Sequence, residues 1–386
     1  MLRNLTIAAL NRIENFHLRR KMMLRLLFPV LLTLLLCSSP LFADGAPMWI
    51  HVCDDGGAGG YDAFPGICRL QDGRLVCVFK AGYWHISPPS EKFPKGGRIV
   101  ACYSSDEGNT WTAPQIIYDS PIEDGGGGIV QLDDGRILLT MMTEHFPVPG
   151  EWNRDVEINS GVMESADNGK TWSEPRFLFK GFPGPGVIAT YAPIRILSDG
   201  TLLMPLYTVD DKNPATNSGA VCLSHDDGKT WGDVIIIPNG GRQYDAETDV
   251  IELKDGTLYA IQRPKAGSMA ASYSKDKGKT WSVSEEVGFP GHCPNFLRTK
   301  DDVILLATRI PATMLRISRD ECKTWSEPIK VDDVGGAYPG MVELKDGSIL
   351  IVYYENDGAW GNKTRVHIRA KKFNVTDSGV EWLPFE

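Results

Sequence analysis

Beyond residue 48 the chain alternates short apolar runs with polar turns, and no stretch shows the apolar period of a helix. The runs are rich in β-formers, as in Leu-Tyr-Ala-Ile ending at Ile261, and a recurring Asp-Gly joins them. Glycine accepts a positive φ there, so the dipeptide reads as the tight turn of a hairpin. The full unit, Leu-x-Asp-Gly-x-Leu or Ile, is centred on Asp72, Asp134, Asp199, Asp255 and Asp346, with a decayed copy at Asp301–Asp302. A second unit, Ser-x-Asp-x-Gly-x-Thr-Trp, spans Ser104–Trp111, Ser165–Trp172, Ser224–Trp231 and Ser274–Trp281. Its fifth copy, Ser318–Trp325, has Cys322 where the others have glycine, and Thr376–Trp382 reads as a worn remnant. One box follows each hairpin, at roughly 45 to 65 residues per unit, which suits propeller blades of four strands. The expected fold is all-β, a six-bladed β-propeller with Asp-box repeats. The early strand Trp49–Cys53 is placed to complete the last blade and close the ring.

The repeated aspartates are structural on this reading. Box Asp and Ser side chains bond turn amides, the glycine allows the reversal, and the Trp packs between strands. A chemical site, by contrast, is not needed five times. The repeats also serve as a ruler. With every Asp-Gly turn on one face, residues eight before and eight after the Asp return to the opposite face near the axis, at about 3.3 Å per residue. The positions before are Phe64, Gly126, Tyr191, Glu247, Cys293 (or Pro294) and Tyr338; those after are Lys80, Met142, Tyr207, Arg263, Arg309 and Tyr354. Tyrosines, a glutamate and several cations thus converge on one mouth, where packing needs only small or apolar groups. Such convergence is costly unless a ligand meets it or a salt-bridge network plugs the channel.

The N-terminus departs from the pattern. Arg19, Arg20, Lys21 and Arg25 precede an apolar run from Leu26 to Leu36, and small residues follow to Ala43. That order is a secretory signal, too short to span a membrane comfortably, with Met22 or Met23 as an alternative start. The expected organisation is a leader at residues 1–43 and one propeller at 44–386, secreted or periplasmic. Of the 40 basic and 49 acidic side chains, 34 and 48 remain beyond residue 43. An acidic surface of this kind excludes nucleic acid and anionic membranes as partners. The seven cysteines after the leader match neither a zinc site nor a dense disulfide scaffold, and most sit in apolar strands as small core residues. No metal-ligand spacing is found among the histidines and no cofactor motif is present.

At this point the chain resembles the sialidase (neuraminidase) superfamily over essentially its whole length after the leader. The segment from Glu247 through Lys-Asp-Gly to Arg263 is similar to the family stretch that holds the nucleophile's glutamate and one arginine of a carboxylate-binding triad. Tyr338-Pro-Gly, leading to Tyr354-Glu355, resembles the nucleophilic tyrosine segment, and Arg309 stands near the family's last triad arginine. The resemblance implies a glycoside hydrolase for sialic acid or a related acidic sugar, with Tyr338 as nucleophile and Glu247 as its base. Arg263, Arg309, Lys80 and Tyr191 are the implied substrate contacts. Sialidases use tyrosine where most glycosidases use a carboxylate. A neutral nucleophile avoids repelling the substrate's own carboxylate, and arginine forks suit that group.

Blade one departs from the family. Its arginine is replaced in Ala63-Phe64-Pro65, and the loop 81–97 has no aspartate to act as acid/base. Glu91 is the nearest chemical substitute, with Glu144, His145 and Asp155 in the next blade as further choices. Tyr83, Trp84, Trp152 and Trp360 offer stacking platforms for sugar rings or padding for the seams. A carbohydrate-binding propeller without chemistry, and a lyase using Tyr338 as acid/base, stay open beside the hydrolase.

Overall fold

The paired β-runs form six antiparallel sheets, and in five of them the strands follow chain order outward from an inner edge. The computed structural model describes residues 45–146, 157–180, 186–189, 191–210, 213–334, 337–355 and 365–386. The expected leader, Trp152, Asp155 and Trp360 lie outside the described residues. Blade one is Tyr61–Arg69, Leu75–Gly82, Arg98–Ser104 and Gln115–Tyr118. Blade two runs from Glu123–Gln131 through Ile137–His145 and Glu157–Ser165 to Arg176–Lys180. In blade three two short pieces, Gly186–Ala189 and Arg195–Ile196, share the edge of Leu202–Val209. Blades four and five begin at Tyr244–Glu252 and His292–Arg298. Among the described residues the helical content is one 3-10 turn, Pro214–Thr216.

Blade six is completed from both ends of the chain. Its strands Ala337–Glu343, Ile349–Tyr354 and Ile368–Thr376 are continued on the outer edge by Ile50–Cys53, which pairs with Ile368–Ala370. Gly379–Leu383 pairs farther along the same strand. The Thr376–Trp382 remnant is therefore the turn of a hairpin rather than a sixth box. It still delivers its tryptophan where the boxes do.

That place is the seam between blades. Six apolar clusters occupy six seams, and each mixes residues of two neighbouring blades, as Leu75 and Phe79 of blade one meet Val352 and Ile368 of blade six. Trp111, Trp172, Trp231, Trp281 and Trp325 each pack into the seam shared with the preceding blade. Trp382 does the same between blades five and six. Six of the seven cysteines are buried, and all seven are free thiols.

The boxes close locally as the motif predicts. Ser104 Oγ accepts the Gly108 amide at 2.9 Å, and Asp106 accepts the Thr110 amide at 2.9 Å and its hydroxyl at 2.5 Å. The glycine stands in the left-handed region, at φ 82° for Gly108 and 83° for Gly169, and Cys322 adopts the same conformation at φ 62°. Asp302 replaces the hairpin glycine of blade five at φ 61°.

Box and hairpin glycines differ in their surroundings. A Cβ on Gly169 would lie 2.5 Å from the Tyr103 hydroxyl of blade one, whereas Gly200 at φ 85° faces open space. Gly200→Ala should therefore cost backbone strain only, on the order of 1 kcal/mol, and Gly169→Ala strain plus a clash, about 2–4 kcal/mol. Denaturant unfolding of both variants checks the ranking; equal losses would contradict it.

Candidate active site

Five of the six inner strands break their ladder where the ruler ends. Register shifts fall between Ala63 and Gly66, Gly126 and Ile129, Ala246 and Thr248, His292 and Asn295, and Ala337 and Gly340. A bulge adds a residue on one strand and re-aims its side chain. At Phe64, Cys293 and Tyr338 the bulged residue is left-handed, with φ of 61°, 52° and 42°. All three precede proline (Pro65, Pro294 and Pro339), whose ring excludes the right-handed helical conformation from the residue before it. Proline disfavours the helical alternative at these three positions, whereas the bulges at Gly126 and Ala246 form without one; in each strand the bulge re-aims the side chains beside it.

The convergence is realised around Tyr338. Its hydroxyl donates to Glu247 Oε1. The same carboxylate takes two bonds from Arg263 Nη1, at 2.9 and 3.0 Å, while Arg263 Nη2 reaches Asp245 at 2.7 Å. The Arg309 guanidinium lies over the Tyr338 ring, 5.5 Å from its centroid. Phe64 meets Tyr338 edge-on at 4.8 Å and Tyr191 at 4.8 Å, and Tyr191 meets Tyr338 at 5.2 Å. Tyr191, Glu247, Cys293, Asn295 and Tyr338 line a narrow cleft at this point.

The electrostatics separate the pair. Burial pushes Glu247 upward, yet Arg263, Arg309 and the Tyr338 hydrogen bond outweigh it and hold the carboxyl below its usual range. Burial, with the charges of Cys293 and Glu247, lifts the Tyr338 phenol well above its usual value despite the arginines. At rest the site holds a neutral phenol bonded to an ionised base. Burial, then Lys80 and Arg309, lowers His85 to about 3, and burial with Arg263 and Arg309 lowers His292 to about 4, so both imidazoles are neutral.

Lys80 does not join this group as an available cation. It is buried, ion-paired with Glu123, and donates to the His85 carbonyl at 2.8 Å. Its ammonium lies 5.9 Å from the Phe64 ring, on the blade one and two side of the centre. Glu91 is exposed on the blade-one loop, and no hydrogen bond or ion pair ties it to the cluster among the described residues. Sequence reasoning offered Glu144 as one acid among several and missed its blade-two neighbours Glu123 and Asp124. Glu123, Asp124 and Glu144 are all buried at the start of blade two. Only the register reveals it, since Glu123 and Glu144 face each other across the first two strands of that blade.

Comparison with known proteins agrees with the propeller fold. A family model described as a BNR repeat-like domain matches residues 95–351. A sialidase of Paraclostridium sordellii is 30% identical over 211 residues, 48% of this chain and 49% of that protein. A sialidase of Bacteroides fragilis strain YCH46 is 28% identical over 272 residues, 61% of this chain and 45% of that protein. The chain spans about half the length of these curated relatives. Among solved structures, a protein of unknown function from Dyadobacter fermentans matches 84% of this chain and 99% of its own, with TM-score 0.69 and 23% identity. A Hadza microbial sialidase matches 84% of this chain and 68% of its own, with TM-score 0.65 and 18% identity. These two likenesses show the fold.

The acids of blade two carry a pH signature. Burial lifts Asp124 to about 7, against the opposing amide and hydroxyl of Ser120. A carboxyl raised in the folded state stabilises fully below its unfolded value near 4, and that contribution is lost as pH climbs through 7. Asp124→Asn keeps an acceptor for Ser120 and removes the dependence. Relative to the variant, the wild type should lose up to about 1.4 kcal/mol per pH unit between pH 5 and 7. Urea unfolding of both proteins at several pH values reads this, and parallel profiles would refute it.

Proposed function

The chain belongs to the BNR repeat-like family of the sialidase superfamily, and on that footing we propose that it is an exported exo-glycosidase releasing sialic acid or a related acidic sugar. Residues 1–43 would be the leader and 44–386 the catalytic propeller. The observation that carries the reading is the Tyr338 hydroxyl bonded to a Glu247 carboxylate that Arg263 holds ionised. A propeller has no structural need for that arrangement, and it is what a tyrosine nucleophile requires.

The chemistry follows from the two protonation states. Tyr338 Oη forms a bond to the anomeric carbon while its proton passes to Glu247 and the glycosidic C–O bond breaks. Burial and the ionised Glu247 keep the phenol neutral until the substrate arrives, while the two arginines favour its ionisation as the proton leaves. Arg309 and Arg263 hold the sugar's carboxylate, with Arg263 shared between that group, Glu247 and Asp245. Tyr191 and Phe64 form the aromatic floor on which the ring rests.

One observation favours a second reading, a carbohydrate-binding propeller that keeps the pocket without the chemistry. Phe64 stands where a third cation would complete the carboxylate clamp, and the arginines at the centre are already matched by Glu247 and Asp245.

Turnover of a fluorogenic sialoside and of a panel of acidic glycans separates the two. Tyr338→Phe should lower kcat/KM by about 10³-fold or more, and Glu247→Gln by about 10²–10⁴-fold. Unchanged turnover in Tyr338→Phe would remove the tyrosine mechanism. Saturable glycan binding with no turnover in the wild type would establish the binding module instead.

A further inference from the structure

A tyrosine nucleophile leaves a chemical requirement unmet. The oxygen that departs from the anomeric carbon needs a proton, from a donor on the far side of the glycosidic bond. Tyr338, Glu247, Arg263 and Arg309 all come from blades four to six, so the donor must come from blades one to three.

Glu144 has the position and the surroundings. It stands near the end of the second strand of blade two, opposite Glu123 in register. Glu123 is fully engaged, by the Lys80 ion pair and by the Gly97 amide at 2.8 Å. Glu144 is 7% exposed, and its Oε2 is buried without a hydrogen-bond partner among the described residues. The charged and titratable groups around it are Lys80 from blade one, Glu123 from its own blade, and Tyr191 and Tyr207 from blade three. Two buried carboxyls share one ammonium, and only one of them can be an ion without a large desolvation cost. Glu123 takes the lysine. Burial and the Glu123 charge then lift Glu144 to about 8, with Lys80 opposing, so at neutral pH it carries a proton. Tyr191 links this group to the cleft. Its ring packs on Tyr338, and a Cβ at Gly125 would sit 3.2 Å from its hydroxyl, which places that hydroxyl against the blade-two strand carrying Glu123.

We propose that Glu144 is the proton donor to the leaving group, a role that rests on the glycosidase reading above. As Tyr338 Oη bonds the anomeric carbon, the glycosidic electron pair moves to the leaving oxygen, which takes the Glu144 proton. Water then attacks the glycosyl-tyrosine and gives its proton to the Glu144 carboxylate. The departing phenolate recovers its own proton from Glu247. Both acids and the tyrosine return to their starting states.

Leaving-group dependence tests this. A nitrophenyl glycoside needs little protonation to depart, while an alkyl-linked glycan of the same sugar needs it fully. Glu144→Gln, checked for an unchanged unfolding midpoint, should lose about 10²–10⁴-fold in kcat/KM on the alkyl-linked glycan. On the nitrophenyl glycoside it should lose at least about ten-fold less. The wild type should also show an alkaline limb near pH 8 that the variant lacks. Equal loss on both substrates, or no loss on either, in an otherwise active enzyme overturns the proton-donor role and leaves the glycosidase reading standing. A wild type inactive on both glycosides overturns the two together.

Discussion

The ring holds because its first described strand is sewn into its last blade. Ile50–Cys53 lies on Ile368–Ala370, and the join is reinforced by Val366 donating to the Gly60 carbonyl at 2.8 Å and Asp62 donating to Val366 at 2.9 Å. An open ring would leave the edge of blade six unpaired and the seam to blade one exposed to water. That seam is also where the candidate site is braced. Phe64 and Tyr61 of blade one touch Tyr338 and Tyr354 of blade six across it. Closure and site geometry are therefore one constraint, and loosening the N-terminal strand would move the tyrosine.

The blades themselves are rigid for a repetitive reason. Every seam buries a cluster of aliphatic side chains capped by one tryptophan, each such side chain contributing on the order of 1.5–3 kcal/mol when removed from water. Charges reinforce the box face. Glu107 joins Arg69 of its own blade to Lys345 of blade six, and Glu321 joins Arg298 to the Lys254 amide. The opposite face is free to carry function, and there the regular ladders give way to bulges. Phe64, Cys293 and Tyr338 take a left-handed φ in their bulges, and that kink re-aims each side chain.

The balance of charge at the centre explains how so many polar groups survive burial. Arg263 is matched by Glu247 and Asp245, and Lys80 by Glu123. Neutral imidazoles and an aromatic floor fill the rest. Phe64, edge-on at 4.8 Å, fixes the Tyr338 ring from the blade-one side.

Much of this was legible in the sequence. Two independent repeats in one phase counted the blades, because a hairpin turn and a box are each closed by neighbours within a few residues. The same phase found Tyr338, Glu247, Arg263 and Arg309, since strand height is a fixed number of residues and a bulge recurs at the same place. The worn copies misled only in detail, as at Thr376–Trp382, where a hairpin forms and the tryptophan still reaches its seam. Tertiary structure decided what depends on distant partners. Lys80 reads as an available cation until Glu123, 43 positions away, is brought against it. Glu91 reads as the nearest acid until its loop is seen to leave it in solvent. Glu144 looked like one rim acid among several until burial beside a second carboxyl and one shared lysine set it apart. Local hydrogen bonding determines the repeat and the direction of its side chains; burial and charge pairing across blades determine which of those side chains are left with chemistry to do.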